Sequence, residues 1–223
     1  MRSLLEGVKR YETTKRARYS SRFAKLASGQ EPLALFITCS DSRVVPSLIA
    51  LSDPGELFVV RNVANLVPPH VAGVESPDTS VSSAVWYALE VLQIHDVVVC
   101  GHSGCGGIKA LRSGAPPAPL ERWLAHGERS LEAWRTKGPL DASLSDDDQL
   151  SQVSALQQLA NLETHDHVRA RVASGQVRLH AWWFDIPSAR LLAYSREADR
   201  YVPILEAEEP APRPRDNVIG AAE

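Results

Sequence analysis

Asp96-Val-Val-Val-Cys100 runs straight into Gly101-His-Ser-Gly-Cys-Gly-Gly107, and this stretch decides the fold. Its apolar half is strand-sized and apolar on both faces, as the strands of a buried parallel sheet are. The glycines open a turn, and a short helix is expected from near Ile108. Outward from it, Leu33-Ala-Leu-Phe-Ile-Thr-Cys39 is a second such run, and Glu56-Leu-Phe-Val-Val-Arg61 is a third, opened by the turn Asp53-Pro54-Gly55. A loop is expected from Pro68-Pro69 to Pro77, with Asp78 as N-cap of a helix through Val81, Val85, Ala88, Leu89 and Leu92. Helical patterns follow at about 120–136 and 149–173, with Asp146-Asp147-Asp148 in a polar connection between them. Val177–Phe184 and Arg190–Tyr194 should form a hairpin around Ile186-Pro-Ser-Ala. Strands alternate with helices, so the expected class is α/β, a mainly parallel sheet flanked by helices with an antiparallel C-terminal edge. The linkers are short, which predicts one domain over 1–206, including an N-terminal helical arm at 1–30, and a flexible Pro- and Glu-rich tail at 207–223.

The chain has 223 residues, 44% hydrophobic and 23% charged, with a mean hydropathy of -0.17. That is a globular balance, long enough to fold without disulfides. A net charge of -3 and a pI near 6.2 argue against nucleic acid as a partner. No run approaches the roughly 18 apolar residues of a membrane span. Basic residues at the N-terminus are not followed by a continuous apolar core, so a cytoplasmic location is expected. Residues 1–30 carry eight Lys/Arg and two Glu, about +6, leaving about -9 for the rest. A basic, Ser-containing start also fits an organelle transit peptide. Leu4, Leu5, Val8 and Tyr11, then Tyr19, Phe23 and Leu26, stand at helical spacing and favour an arm.

Three cysteines, an odd and sparse count, do not make a secreted disulfide framework. Cys39 closes one apolar run, and His102 and Cys105 follow another. Neighbouring parallel strands bring such ends to one edge, where ligand sites form. Two thiols and an imidazole gathered there are three ligands with one position open, the pattern of a catalytic zinc. Each piece alone has a plainer reading: a buried thiol for Cys39, a surface ion pair for Asp41 and Arg43. Cys100 sits inside its strand run and reads as packing.

Cys39-Ser-Asp-Ser-Arg-Val44 and Gly101-His-Ser-Gly-Cys-Gly-Gly107, with Pro54-Gly-Glu-Leu-Phe-Val-Val-Arg-Asn-Val-Ala-Asn65 between them, resemble the signature segments of the β-class carbonic anhydrases, in their plant-type and bacterial branch. The likeness runs from the N-terminal helix to about Pro203. It implies Zn2+ held by Cys39, His102 and Cys105, with Asp41 beside the metal and Arg43 paired to it. Asp41 would orient hydroxide in an open state or become a fourth ligand in a closed one, and the Arg43 fork decides between them. The implied activity is that of a zinc lyase: zinc-bound hydroxide attacks CO2 to give bicarbonate and a proton. Hydrolysis of CS2 or COS at the same site is the alternative.

Gln30, Phe58 and Tyr87 stand where the plant-type branch lines its substrate pocket, and Val44 and Gly106 are expected to border it. The plainer reading of Phe58 is strand core, and of Tyr87 one more apolar helix position. The resemblance implies a homodimer as the minimum unit, with a tetramer or larger assembly open, no membrane partner, and pocket walls shared between chains. Phe36 stands where another branch has a Trp that, with an Arg at the Arg61 position, builds an inhibitory bicarbonate site, so that site is not expected here. His70, His95 and His126 are candidates for a proton shuttle by residue type alone.

Overall fold

Ala34–Cys39 (β1) lies between Leu57–Asn62 (β2) and Asp96–His102 (β3), and all three run parallel. The computed structural model describes residues 1–74 and 78–207. Arg178–Asp185 (β4) continues the parallel set beside β3, and Arg190–Ser195 (β5) and Arg200–Pro203 (β6) turn back antiparallel, in the order β2-β1-β3-β4-β5-β6. This is the expected α/β sheet with its antiparallel C-terminal edge. The hairpin falls where it was expected, but β6 was not anticipated: it is a four-residue edge strand with a charge at one end and a proline at the other. The tail from 208 and residues 75–77 of the expected loop lie outside the described residues.

Alternation sends Leu35, Ile37, Val97 and Val99 to one face of the sheet and Phe36, Val98 and Cys100 to the other, and all are buried. Each such aliphatic side chain contributes about 1.5–3 kcal/mol when fully buried. The first face packs on Ala155, Leu159 and Leu162 of the long helix Asp146–Glu163, with Trp183 of β4 beside them.

Around this core run Arg2–Arg10 (α1) and Arg16–Leu26 (α2), joined by a π-helical turn at Tyr11–Lys15, with no buried residue in either. Pro46–Ile49 (α3) was not anticipated. Ser80–Trp86 (α4) starts one residue after Thr79, so Asp78 is not its N-cap; Asp78 instead accepts from His126 at 2.8 Å. Gly106–Ser113 (α5), Ala118–Leu124 (α6) and Glu128–Lys137 (α7) follow.

The acidic triplet is not a connection either. Asp146, Asp147 and Asp148 are the first turn of the next helix, α8, with Ser145 as its N-cap. The Ser145 hydroxyl accepts the Asp148 amide at 3.3 Å, and three carboxylates complement the positive end of the helix. The expected 149–173 helix breaks at Thr164–His165, where the Thr164 hydroxyl folds back to the Asn161 carbonyl, and Asp166–Ala173 (α9) begins anew.

Candidate metal centre

Thr38 of β1 is level with Cys100 of β3, which leaves Cys39 and His102 at the same carboxyl edge of the sheet. Cys105, three residues on, is the N-cap of α5. All three side chains are buried, and their ligand atoms lie within 4.8 Å of one another. The two sulfurs are 3.9 Å apart. Metal–sulfur bonds of about 2.3 Å at a tetrahedral angle would put two thiolates about 3.8 Å apart, so the spacing suits a shared ion. His102 Nδ1 hydrogen-bonds with the Ser103 carbonyl at 2.9 Å, whereas its buried Nε2 has no hydrogen-bond partner among the described residues. Such an orphan is costly unless something binds it, and a ring tied down through its other nitrogen is the usual state of a metal-ligating histidine.

The thiols tell the same story electrically. The Cys39 thiol is pulled down to about 4, chiefly by its hydrogen bond with Cys105; burial opposes this, and His102 and the Asp41 and Ala64 amides assist. The same pairing, together with burial, pushes Cys105 the other way. Two buried sulfurs in contact cannot both ionise unless a cation lies between them. Cys100 takes no part: it is fully buried inside β3, and burial raises its thiol to about 12.

Asp41 borders this group, with Oδ2 at 4.0 Å from His102 Nε2. Arg43 holds it three times over: Nε to Oδ1 at 2.9 Å, Nη2 to Oδ2 at 2.7 Å, and its own amide to Oδ1 at 3.0 Å. The Arg43 side chain therefore keeps the carboxyl well below the usual carboxylate range, and burial only partly opposes it. Arg61 fixes the backbone beneath: Nη2 donates to the Cys39 carbonyl at 3.0 Å and to the Asp41 carbonyl at 2.7 Å. That job was not foreseen for Arg61. Phe36 is buried edge-on against Trp182, so it packs the sheet.

The turn Val63–Asn65 completes the cradle. Ala64 sits at φ 65°, a strained value for a residue with a Cβ, and aims its amide at Cys39 Sγ at 3.4 Å. The first turn of α5 presses on it so closely that a Cβ on Gly107 would stand 2.8 Å from Val63 Cγ1 and 2.9 Å from Ala64 Cβ. A cavity of about 500 Å³ opens beside this turn, lined in part by Ser40, Arg61, Asn62 and Val63.

The structure thus brings together Cys39, His102, Cys105, Asp41 and Arg43, with Gly106 next in line on α5. It does not bring the expected pocket residues to them. Phe58 and Tyr87 stack on each other with ring centroids 5.9 Å apart, but Phe58 is four residues back along β2 from Asn62, the partner of Cys39. Gln30 is exposed beyond α2. Val44 is fully buried among Phe36, Val98, Cys100 and Phe184. His95 is tied to the Gln176 carbonyl, His70 packs against His165, and His126 holds Asp78.

A family model described as carbonic anhydrase matches residues 34–191. A carbonic anhydrase of Pseudomonas aeruginosa is 40% identical over 94% of this chain and 94% of its own length. The chain belongs to the β-class carbonic anhydrase family. A solved structure of the β-carbonic anhydrase CcaA superposes at a TM-score of 0.79, with 34% identity, over 91% of this chain and 98% of that one. One of two tetrameric β-carbonic anhydrases from Sordaria macrospora matches at a TM-score of 0.73 and 29% identity, over 86% of this chain and 95% of its own. In a member of this family, the Cys39, His102 and Cys105 trio is the group placed to bind a metal.

Proposed function

We propose that the chain is a zinc-dependent carbonic anhydrase, hydrating CO2 to bicarbonate at the Cys39, His102 and Cys105 site. The observation that carries this is the buried His102 Nε2, which has no hydrogen-bond partner among the described residues and lies with two sulfurs at metal-binding spacing. Zinc, when bound there, acidifies water in its open position and so supplies a nucleophile near neutral pH.

The chain's own residues do the rest. Asp41 stands at the open side of the site, where its carboxylate accepts a hydrogen bond from the attacking oxygen and aims the free lone pair at CO2. Arg43 holds Asp41 in that place through its fork. Were Asp41 to ligate the metal through Oδ2, the Arg43 Nη2 bond to that oxygen would have to yield. Arg61 fixes the backbone from Cys39 to Asp41, so carboxylate and thiolate keep their relative positions. Ala64 and the α5 amides of Gly107 and Ile108 stabilise thiolate at the two sulfurs.

Gln30, Phe58 and Tyr87 lie away from the chain's own site, and Gln30 and Tyr87 are exposed. We read them as walls of the pocket of a second copy: the aromatic pair gives CO2 an apolar surface, and Gln30 donates to a bicarbonate oxygen. The minimum unit is then a homodimer, and the tetrameric Sordaria relatives support assembly. With two of its three cysteines serving as ligands and none in a disulfide, the chain has no disulfide framework among its described residues, and we read its location as the cytoplasm. Stopped-flow CO2 hydration, run beside CS2 and COS hydrolysis on the same zinc-quantified sample, tests the proposal. Turnover of CS2 or COS without CO2 hydration refutes it.

A further inference from the structure

Gly104 lies between the two ligands His102 and Cys105, in the left-handed region at φ 62°. That conformation turns its two polar groups to different neighbours. Its carbonyl accepts Arg43 Nη2 at 3.2 Å, the same nitrogen that holds Asp41 Oδ2. Its amide donates to Asp148 Oδ1 at 2.7 Å, on the first turn of α8. Capping the helix does not need that oxygen, because the Ser145 hydroxyl meets Oδ2 at 2.9 Å and accepts the Asp148 amide. One turn further along α8, the Ser151 hydroxyl donates to the His102 carbonyl at 2.8 Å. α8 therefore grips the ligand loop at two points, and the Asp148 grip leads on to Arg43 and Asp41.

We propose that Asp148 is a positioning residue for the reaction: it fixes the Gly104 peptide, which seats Arg43 and through it Asp41. It acts by accepting a hydrogen bond, not by charge. Asp147, adjacent on the same turn, is turned instead to Arg112 at 2.6 Å. That makes it a control of equal charge held by a different partner. The kinetic consequence rests on the CO2-hydration reading above; the consequence for metal retention rests only on the trio binding zinc.

The test compares Asp148→Ala, Asp148→Asn and Asp147→Ala with the wild type. It reads kcat and KM for CO2 hydration, zinc release to a chelator, and melting temperature. Asp148→Ala should lower kcat about tenfold with KM within about twofold, and speed zinc release about tenfold, the effect of one lost hydrogen bond. Asp148→Asn keeps an acceptor oxygen and should stay within about twofold of wild type on both measures. Asp147→Ala should lower the melting temperature but leave kcat and zinc release unchanged. The inference is overturned if Asp148→Ala matches wild type in kcat or in zinc release, if Asp148→Asn is as impaired as Asp148→Ala, or if Asp147→Ala reproduces the loss. If the wild type fails to hydrate CO2, the function reading falls, and zinc release alone decides the role of Asp148.

Discussion

Gly106 and Gly107 are neighbours in the first turn of α5, and the same substitution at each should act in opposite directions. A Cβ on Gly107 would meet Val63 Cγ1 at 2.8 Å, Ala64 Cβ at 2.9 Å and the Ala64 nitrogen at 3.3 Å. Carbon atoms prefer separations of about 3.5–4.0 Å, so the first two contacts are short by roughly 0.6–1.2 Å. Neither neighbour yields easily. Val63 is β-branched and stiff at χ1, and the Ala64 Cβ moves only with a backbone whose amide is aimed at Cys39 Sγ. Overpacking of this kind costs about 1–3 kcal/mol, against a gain of about 0.5–1 kcal/mol from replacing a helical glycine. Mid-range values leave a net loss of about 1 kcal/mol for Gly107→Ala, which lowers the melting temperature by about 2–4 °C in a chain of this size. Among the described residues a Cβ on Gly106 meets nothing within 4 Å, so Gly106→Ala should raise it by about 1–3 °C. Both variants are melted at one protein concentration and one zinc loading, since assembly and metal each shift the midpoint. A Gly107→Ala protein that melts at or above Gly106→Ala would refute the reasoning.

Cys39→Ser and Cys105→Ser should each retain less than about a tenth of wild-type zinc after dialysis, whereas Cys100→Ser should keep a full complement and lose about 1–3 kcal/mol of stability from its buried hydroxyl; zinc lost from Cys100→Ser would contradict the ligand assignment. Asp41→Asn should keep its zinc and lose about 100-fold in CO2 hydration, and a near-wild-type rate would remove Asp41 from the mechanism. Burial would raise the Asp96 carboxyl, but hydrogen bonds from His180 and Arg178 outweigh it and hold the group well below the usual range. A carboxyl depressed in the folded state adds stability above its unfolded value of about 4 and loses it as pH falls toward the folded one. Urea midpoints should therefore drop more steeply below pH ~4 in wild type than in Asp96→Asn; parallel curves would show that the Asp96 cluster is not stabilising.

The parts of the fold legible in the sequence were those written in local apolar runs. β1 and β3 are buried on both faces and announce themselves. β6 does not, because a short edge strand needs no apolar pattern, only a neighbour to pair with. The acidic triplet misled because Asp146–Asp148 is polar like a loop, yet carboxylates are what a helix N-terminus favours. The serine before them was the available signal. The metal trio was legible because its chemistry depends on residue type at strand ends. Arg61 and Asp148 were not, since each acts on a backbone group 20 or more positions away, which only the folded chain brings near.

The two borders of the sheet are unequal. β2 presents six residues without a proline along its outer side, whereas β6 offers four and ends on Pro203, which has no amide hydrogen to give. Open backbone at a border invites another chain, and short or proline-bearing borders discourage it. By that logic the β6 border is protected against strand pairing and the β2 border is not. A catalytic sheet blunted on one side in this way is less able to lengthen into a fibre.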